Sequence, residues 1–121
     1  MIMLRLFEDG DGNSLFEEVS VPLAMLNAAP PAMPAYFSEP ANATRWSFCR
    51  CPVGWYGELH AAPRRQILVC TAGALRITTS LGNAKEIGPG CAVLVEDTKG
   101  RGHESLVISG VPFDAIIIAL E

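Results

Sequence analysis

The chain reads as an all-β protein, an antiparallel sandwich or barrel, and three observations carry that reading. From residue 45 onward every apolar run is short and closed by Gly, Pro or Asn, with turn signals every eight to twelve residues. No stretch has the length and 3.6-residue period of a useful helix. The composition also suits a single packed unit: 121 residues, half of them hydrophobic, 18% charged, net charge −4, with a mean hydropathy of +0.27. A chain of that size and polarity buries one core rather than two, so one domain spanning 1–121 is predicted.

Taken in order, residues 1–22 predict an N-terminal hairpin: strands Ile2 to Glu8 and Leu15 to Val21 flank the turn-forming run Asp9-Gly10-Asp11-Gly12-Asn13. That run resembles a calcium loop only superficially. Ser14 stands where the sharp bend needs glycine, and Ser20 where a bidentate glutamate belongs. Residues 23–44 predict an irregular arm, because Pro30, Pro31, Pro34 and Pro40 interrupt any helix or inner strand. Its Met25, Leu26, Met33, Tyr36 and Phe37 are free to dock elsewhere. Residues 45–121 predict the barrel core. Its strands are Trp46 to Cys51, Gly57 to His60, Gln66 to Thr71, Ala74 to Ser80, Lys85 to Ile87, Ala92 to Glu96, His103 to Ile108 and Ala115 to Leu120. Ile116-Ile117-Ile118 reads as an inner strand buried on both faces.

Several functions are disfavoured at this level. Nine basic residues face thirteen acidic ones, and the only basic cluster is Arg64-Arg65, so no electrostatic footprint for nucleic acid or an anionic membrane surface is present. No apolar run approaches the ~18 residues of a membrane span, and Arg5, Glu8 and Asp9 interrupt the N-terminal segment where a signal peptide would be apolar. A cytoplasmic protein is predicted, with its four cysteines, Cys49, Cys51, Cys70 and Cys91, as buried thiols. The apolar strands and the Pro-rich arm exceed what so small a chain hides, which predicts a homodimer.

Both histidines, His60 and His103, fall at strand edges beside glycine-containing loops. Pro63 favours a turn that would fold Gln66 back beside His60. In this region Gly54, five residues, His60, one residue, Ala62, three residues, Gln66, six residues and Gly73 reproduce a spacing. A second set runs Gly90, five residues, Glu96, then Gly100, two residues, His103, three residues, Val107. These frames resemble the two motifs of the cupins, in which Ala62 replaces the second histidine, Gln66 the glutamate, Glu96 the proline and Val107 the asparagine, with two extra residues before Gly100. The stretches Trp55 to Gln66 and Val95 to His103 are also similar to a subgroup of small bacterial cupins, a likeness that names no substrate. The resemblance, spanning Gly54 to Val107, implies an antiparallel double-stranded β-helix, the jelly-roll cupin barrel.

The resemblance also implies where chemistry would sit, and the pocket admits three readings. In one, His60, Gln66 and His103 hold a divalent ion (Fe, Mn, Ni or Zn), weaker than the family's usual three His and one Glu; this supports an oxygenase, isomerase or lyase on a small oxygenated compound. Glu58, two residues before His60 and so on the same strand face, is the alternative anionic ligand or substrate contact. In the second, the cavity binds a small organic molecule without metal, through the histidines, Gln66, an Arg64 or Arg65 clamp, and walls from Trp46, Trp55 and Tyr56. In the third, the fold serves as a structural or interaction module and the histidines only satisfy internal hydrogen bonds.

Overall fold

The computed structural model describes all 121 residues, and they form twelve strands and no helix. These are β1 (Ile2–Glu8), β2 (Ser14–Ser20), β3 (Ala24–Leu26), β4 (Ala35–Phe37), β5 (Arg45–Cys51), β6 (Tyr56–His60), β7 (Gln66–Ala72), β8 (Leu75–Thr79), β9 (Ala84–Ile87), β10 (Ala92–Val95), β11 (His103–Val107) and β12 (Phe113–Ala119). A six-stranded sheet runs β2-β1-β10-β7-β12-β5, a four-stranded sheet runs β6-β11-β8-β9, and β3 pairs only with β4. Neither large sheet closes on itself. No helix is long and apolar enough to cross a membrane.

Alternation along each strand explains how the two sheets share one core. On the six-stranded side Leu6, Cys70, Val93, Val95, Phe113 and Ala115 are buried, and on the four-stranded side Leu75, Ile77, Ile87 and Val107 meet them in a single apolar cluster. Phe113, Leu6 and Val93 are the largest apolar side chains that lose essentially all contact with solvent. Each contributes roughly 1.5–3 kcal/mol of transfer free energy. The remaining positions of the same strands face outward and carry the ion pairs, such as Arg5 between Glu17 and Glu96.

Several details differ from the sequence expectations. The sandwich is not uniformly antiparallel, because β1 lies parallel to β10, with Leu6 beside Val95. The arm is not wholly irregular: Ala24 to Leu26 pairs with Ala35 to Phe37 as a short ribbon. Its side chains nevertheless stay exposed. β12 is an inner strand between β7 and β5, but Ile116, Ile117 and Ile118 are only partly buried: Ile116 and Ile118 lie on the outer face, and Ile117, on the face of Phe113 and Ala115, lines a cavity. Of the cysteines only Cys70 is buried; Cys49 and Cys51 are intermediate and Cys91 is exposed. Both tryptophans lie at the surface, with Trp46 66% and Trp55 37% exposed.

Two loops lock the sheets at the end where the histidines lie. Ser14, fully buried, donates its hydroxyl to the Gly102 carbonyl at 2.6 Å, and accepts from the Ser80 amide at 2.8 Å. This ties β2, the β8–β9 turn and the segment before β11 together. Gly102 has a φ of +77°, and a Cβ there would overlap the carbonyl of His60. Only glycine lets β11 begin so close to the end of β6. Gly102→Ala is therefore expected to cost about 3 kcal/mol in denaturant unfolding. Gly110→Ala, in open space, should stay within about 0.5 kcal/mol of the parent.

Candidate functional site

Register places the two histidines together. His103, the first residue of β11, stands directly opposite His60, the last residue of β6, so both side chains emerge on the same face of the four-stranded sheet. Their ring centroids are 4.8 Å apart and the planes are tilted by 52°. His103 is 8% exposed, whereas His60, on an edge strand, is open to solvent.

Each ring has one nitrogen already committed. His103 Nδ1 lies 2.5 Å from Oδ2 of Asp97, whose side chain is completely buried. His60 Nδ1 lies 2.6 Å from the backbone carbonyl of Glu58. A carbonyl and a carboxylate only accept, so both Nδ1 atoms donate, and in the neutral rings the lone pair is at Nε2. A histidine oriented from behind by a carboxylate or carbonyl is the arrangement used both for general bases and for metal-ligating imidazoles.

Asp97 completes the site, although no motif in the sequence marks it. Inward and outward positions alternate beyond β10: Val93 and Val95 point to the core, Glu96 points out, and Asp97 points in. Glu96 is gripped from outside by Arg5, at 2.5 Å, and by Arg65. Although burial pushes its carboxyl upward, the Arg65 and Arg5 guanidinia outweigh that and hold it below the usual glutamate value. The Asp97 carbonyl also accepts from the Ala62 amide at 3.0 Å, which stitches the loop to the β6–β7 connection. One oxygen of Asp97, Oδ1, is buried with no hydrogen-bond partner. Leaving it so costs on the order of 1–3 kcal/mol, the kind of cost associated with a working site. An acid in a polar loop normally reads as solvated, so nothing in the spacing singled it out.

The other residues expected at the site are dispersed. A bulge in β6 sets Gly57 opposite Ser105 and His60 opposite His103, three residues against two. The bulge breaks the two-residue rule: Gly57, not Glu58, shares the face of His60. Glu58 instead lies near Tyr56, on the outer face, where the Tyr56 hydroxyl donates to Glu104. That hydrogen bond, followed by burial, raises the Tyr56 hydroxyl above its ordinary value. Tyr56 and Glu58 therefore do not line the space beside the histidines. Trp55 does, since a side chain on Gly57 would meet both the Trp55 indole and the His60 ring. Gln66 pairs with Val95 and Ala119 in the six-stranded sheet and makes no hydrogen bond to either histidine. With Arg64 it lines a cavity of about 380 Å³ that contains neither histidine. Ala62 is buried and offers no donor. A larger cavity, about 750 Å³, lies where the arm meets β1 and β9; it is mainly apolar and holds no histidine.

The spacing of the imidazoles suits one shared ion, since two rings bound at ~2.1 Å per nitrogen bring their centroids roughly 5 Å apart. The donor set is nevertheless short. No cluster of three His, Cys, Asp or Glu side chains exists that would complete a shell. Three or four protein ligands are usual for a resident ion, so the residues do not fit a tightly held metal. A family-model scan and a search of curated proteins each return no match for the chain.

Nitrogen chemical shifts of the neutral imidazoles report the tautomers directly. Both rings are expected as the Nδ1–H form, and Asp97→Ala should abolish that preference at His103 while leaving His60 unchanged.

Proposed function

We propose that this is a cupin-type jelly-roll protein that binds a small polar organic molecule against the paired imidazoles of His60 and His103. The observation that carries the proposal is that two imidazoles, each held through Nδ1 by a hydrogen bond, stand opposite one another on the same face of one sheet with their ring centroids 4.8 Å apart and no protein partner at either Nε2. Such a pair accepts hydrogen bonds from ligand hydroxyls, and Trp55 supplies an apolar wall beside it. The His103–Asp97 pair adds chemical capacity. A proton taken at Nε2 leaves an imidazolium whose charge the buried carboxylate balances. A divalent cation such as Ni or Zn competes for the same nitrogens as a weak, two-ligand occupant. The protein is then a binding protein first, and a metal-dependent oxygenase, isomerase or lyase only if a substrate completes the shell.

The supporting experiment uses protein purified without chelator. Metal content is expected well below one ion per chain, and added Zn or Ni should raise Tm by a few degrees. His60→Ala and His103→Ala should each abolish that rise and the rise given by any small-molecule hit. Hits that stabilise both variants as well as the parent would overturn the reading.

We also propose that the chain works as a homodimer. The outer face of β5 exposes Trp46 and Phe48, stacked edge to face at 5.4 Å, and the arm exposes Met25, Leu26, Met33, Tyr36 and Phe37. A second copy covers both sets by exchange. Light scattering is expected to give twice 13.0 kDa, and Phe48→Asp to give the single-chain mass, since a charge on a desolvated apolar contact costs several kcal/mol.

A further inference from the structure

The arginines divide into two groups by what they touch. Five of the seven are committed: Arg5 to Glu17 and Glu96, Arg50 to Asp114, Arg65 to Glu96, Arg76 to Glu86 and Arg101 to Asn13. Arg45 and Arg64 make no ion pair and no side-chain hydrogen bond. Both line the same cavity of about 380 Å³. In a chain of net charge −4, with thirteen acidic residues available, two guanidinia left without a carboxylate in one concavity are unusual.

Strand register explains how the cavity is built. Ala119 stands opposite Gln66 on one side and Arg45 on the other, and one step along the same face Ile117 stands opposite Ser47. These positions follow Phe113 and Ala115 on the core-facing side of β12, so the cavity opens on the inner face of the six-stranded sheet near its β5 edge. The small Ala119 leaves room between the flanking polar side chains. Arg64 closes the cavity from the β6–β7 connection, four residues after His60. Gln66 and Ser47 also spend no side-chain hydrogen bond within the protein. The lining contains no Asp or Glu. Guanidinia only donate, and an amide and a hydroxyl can donate, so every free polar group here favours an acceptor-rich guest.

We infer that this cavity is a binding site for a compact oxyanion, the carboxylate or phosphate group of a small organic molecule, held by the forks of Arg45 and Arg64 with Gln66 and Ser47 beside them. Pro63 and Ile117 supply apolar contact for the attached carbon skeleton. The site stands on its own geometry. Its extension, that the same molecule also reaches the histidines, rests on the reading given above and names the substrate class as a small organic anion.

Calorimetry at low salt with inorganic phosphate, succinate and glucose tests this in the full chain. Phosphate or succinate is expected to bind, and whichever binds identifies the group recognised. Arg45→Gln and Arg64→Gln should each weaken that binding at least ~10-fold. Arg76→Gln, which removes a charge of equal sign from a committed arginine on another strand, should leave it unchanged. Arg45 lies on an exposed edge strand, so its variant keeps the test valid if the Arg64 variant folds poorly. Absence of binding by both anions, or equal weakening by Arg76→Gln, overturns the oxyanion site. Arginine-dependent binding that is unaffected by His60→Ala and His103→Ala supports the site and overturns only the shared-ligand extension. Glucose binding that needs the histidines but ignores the arginines, with neither anion bound, upholds the histidine reading and overturns this one.

Discussion

A carboxylate with no access to solvent is a liability unless something is arranged around it, and Asp97 sits where the two sheets meet. It leaves β10 of the six-stranded sheet and bonds to the first residue of β11 in the four-stranded sheet, six residues later in the chain. Desolvation makes an unpaired charge there costly, so the His103 ring is held where it can donate to Oδ2. The loop that carries Asp97 is held in turn: Glu96 by Arg5 and Arg65 on the outside, the Asp97 carbonyl by the Ala62 amide on the inside. Because Gly102 has no side chain, β11 can then lie against the end of β6 and bring His103 opposite His60.

The consequence is a site whose polar groups are divided between those already satisfied and those left free. The Nδ1 atoms, the Asp97 Oδ2 and the Glu58 carbonyl are spent on one another; the two Nε2 atoms are not. The β6–β7 connection shows the same division, with Arg65 spent on Glu96 at the outside and its neighbour Arg64 unspent in the cavity it shares with Arg45. Free donors on one sheet and free acceptors on the other are what a small, polar, negatively charged guest would need. The metal chemistry implied by the resemblance to cupins has less to stand on, because Ala62 presents a methyl group and Gln66 faces a different cavity.

Local pattern was enough to read most strands. Apolar runs closed by Gly, Pro or Asn locate β1, β2, β7, β8, β10, β11 and β12 to within one or two residues, because turn chemistry and side-chain alternation are properties of neighbouring residues. The same local rules located His60 and His103 at strand ends. They failed where a partner strand decides. Alternation alone puts Glu58 on the face of His60, but a bulge against β11 inserts one residue; prolines alone make the arm irregular, but its two three-residue strands pair with each other.

The chain's own residues thus specified an all-β class, its short strands, and the two imidazoles as the side chains to watch; whether the sheets closed into a barrel they left to the tertiary structure, in which neither large sheet closes on itself. Pairing between strands far apart in the sequence decided the rest: the parallel contact of β1 with β10, the separation of Gln66 from the histidines, the inward turn of Asp97, and the meeting of Arg45 with Arg64. Those contacts depend on register and on which sheet a strand joins, and both are set by how two apolar faces bury each other. A short-range pattern carries no information about that.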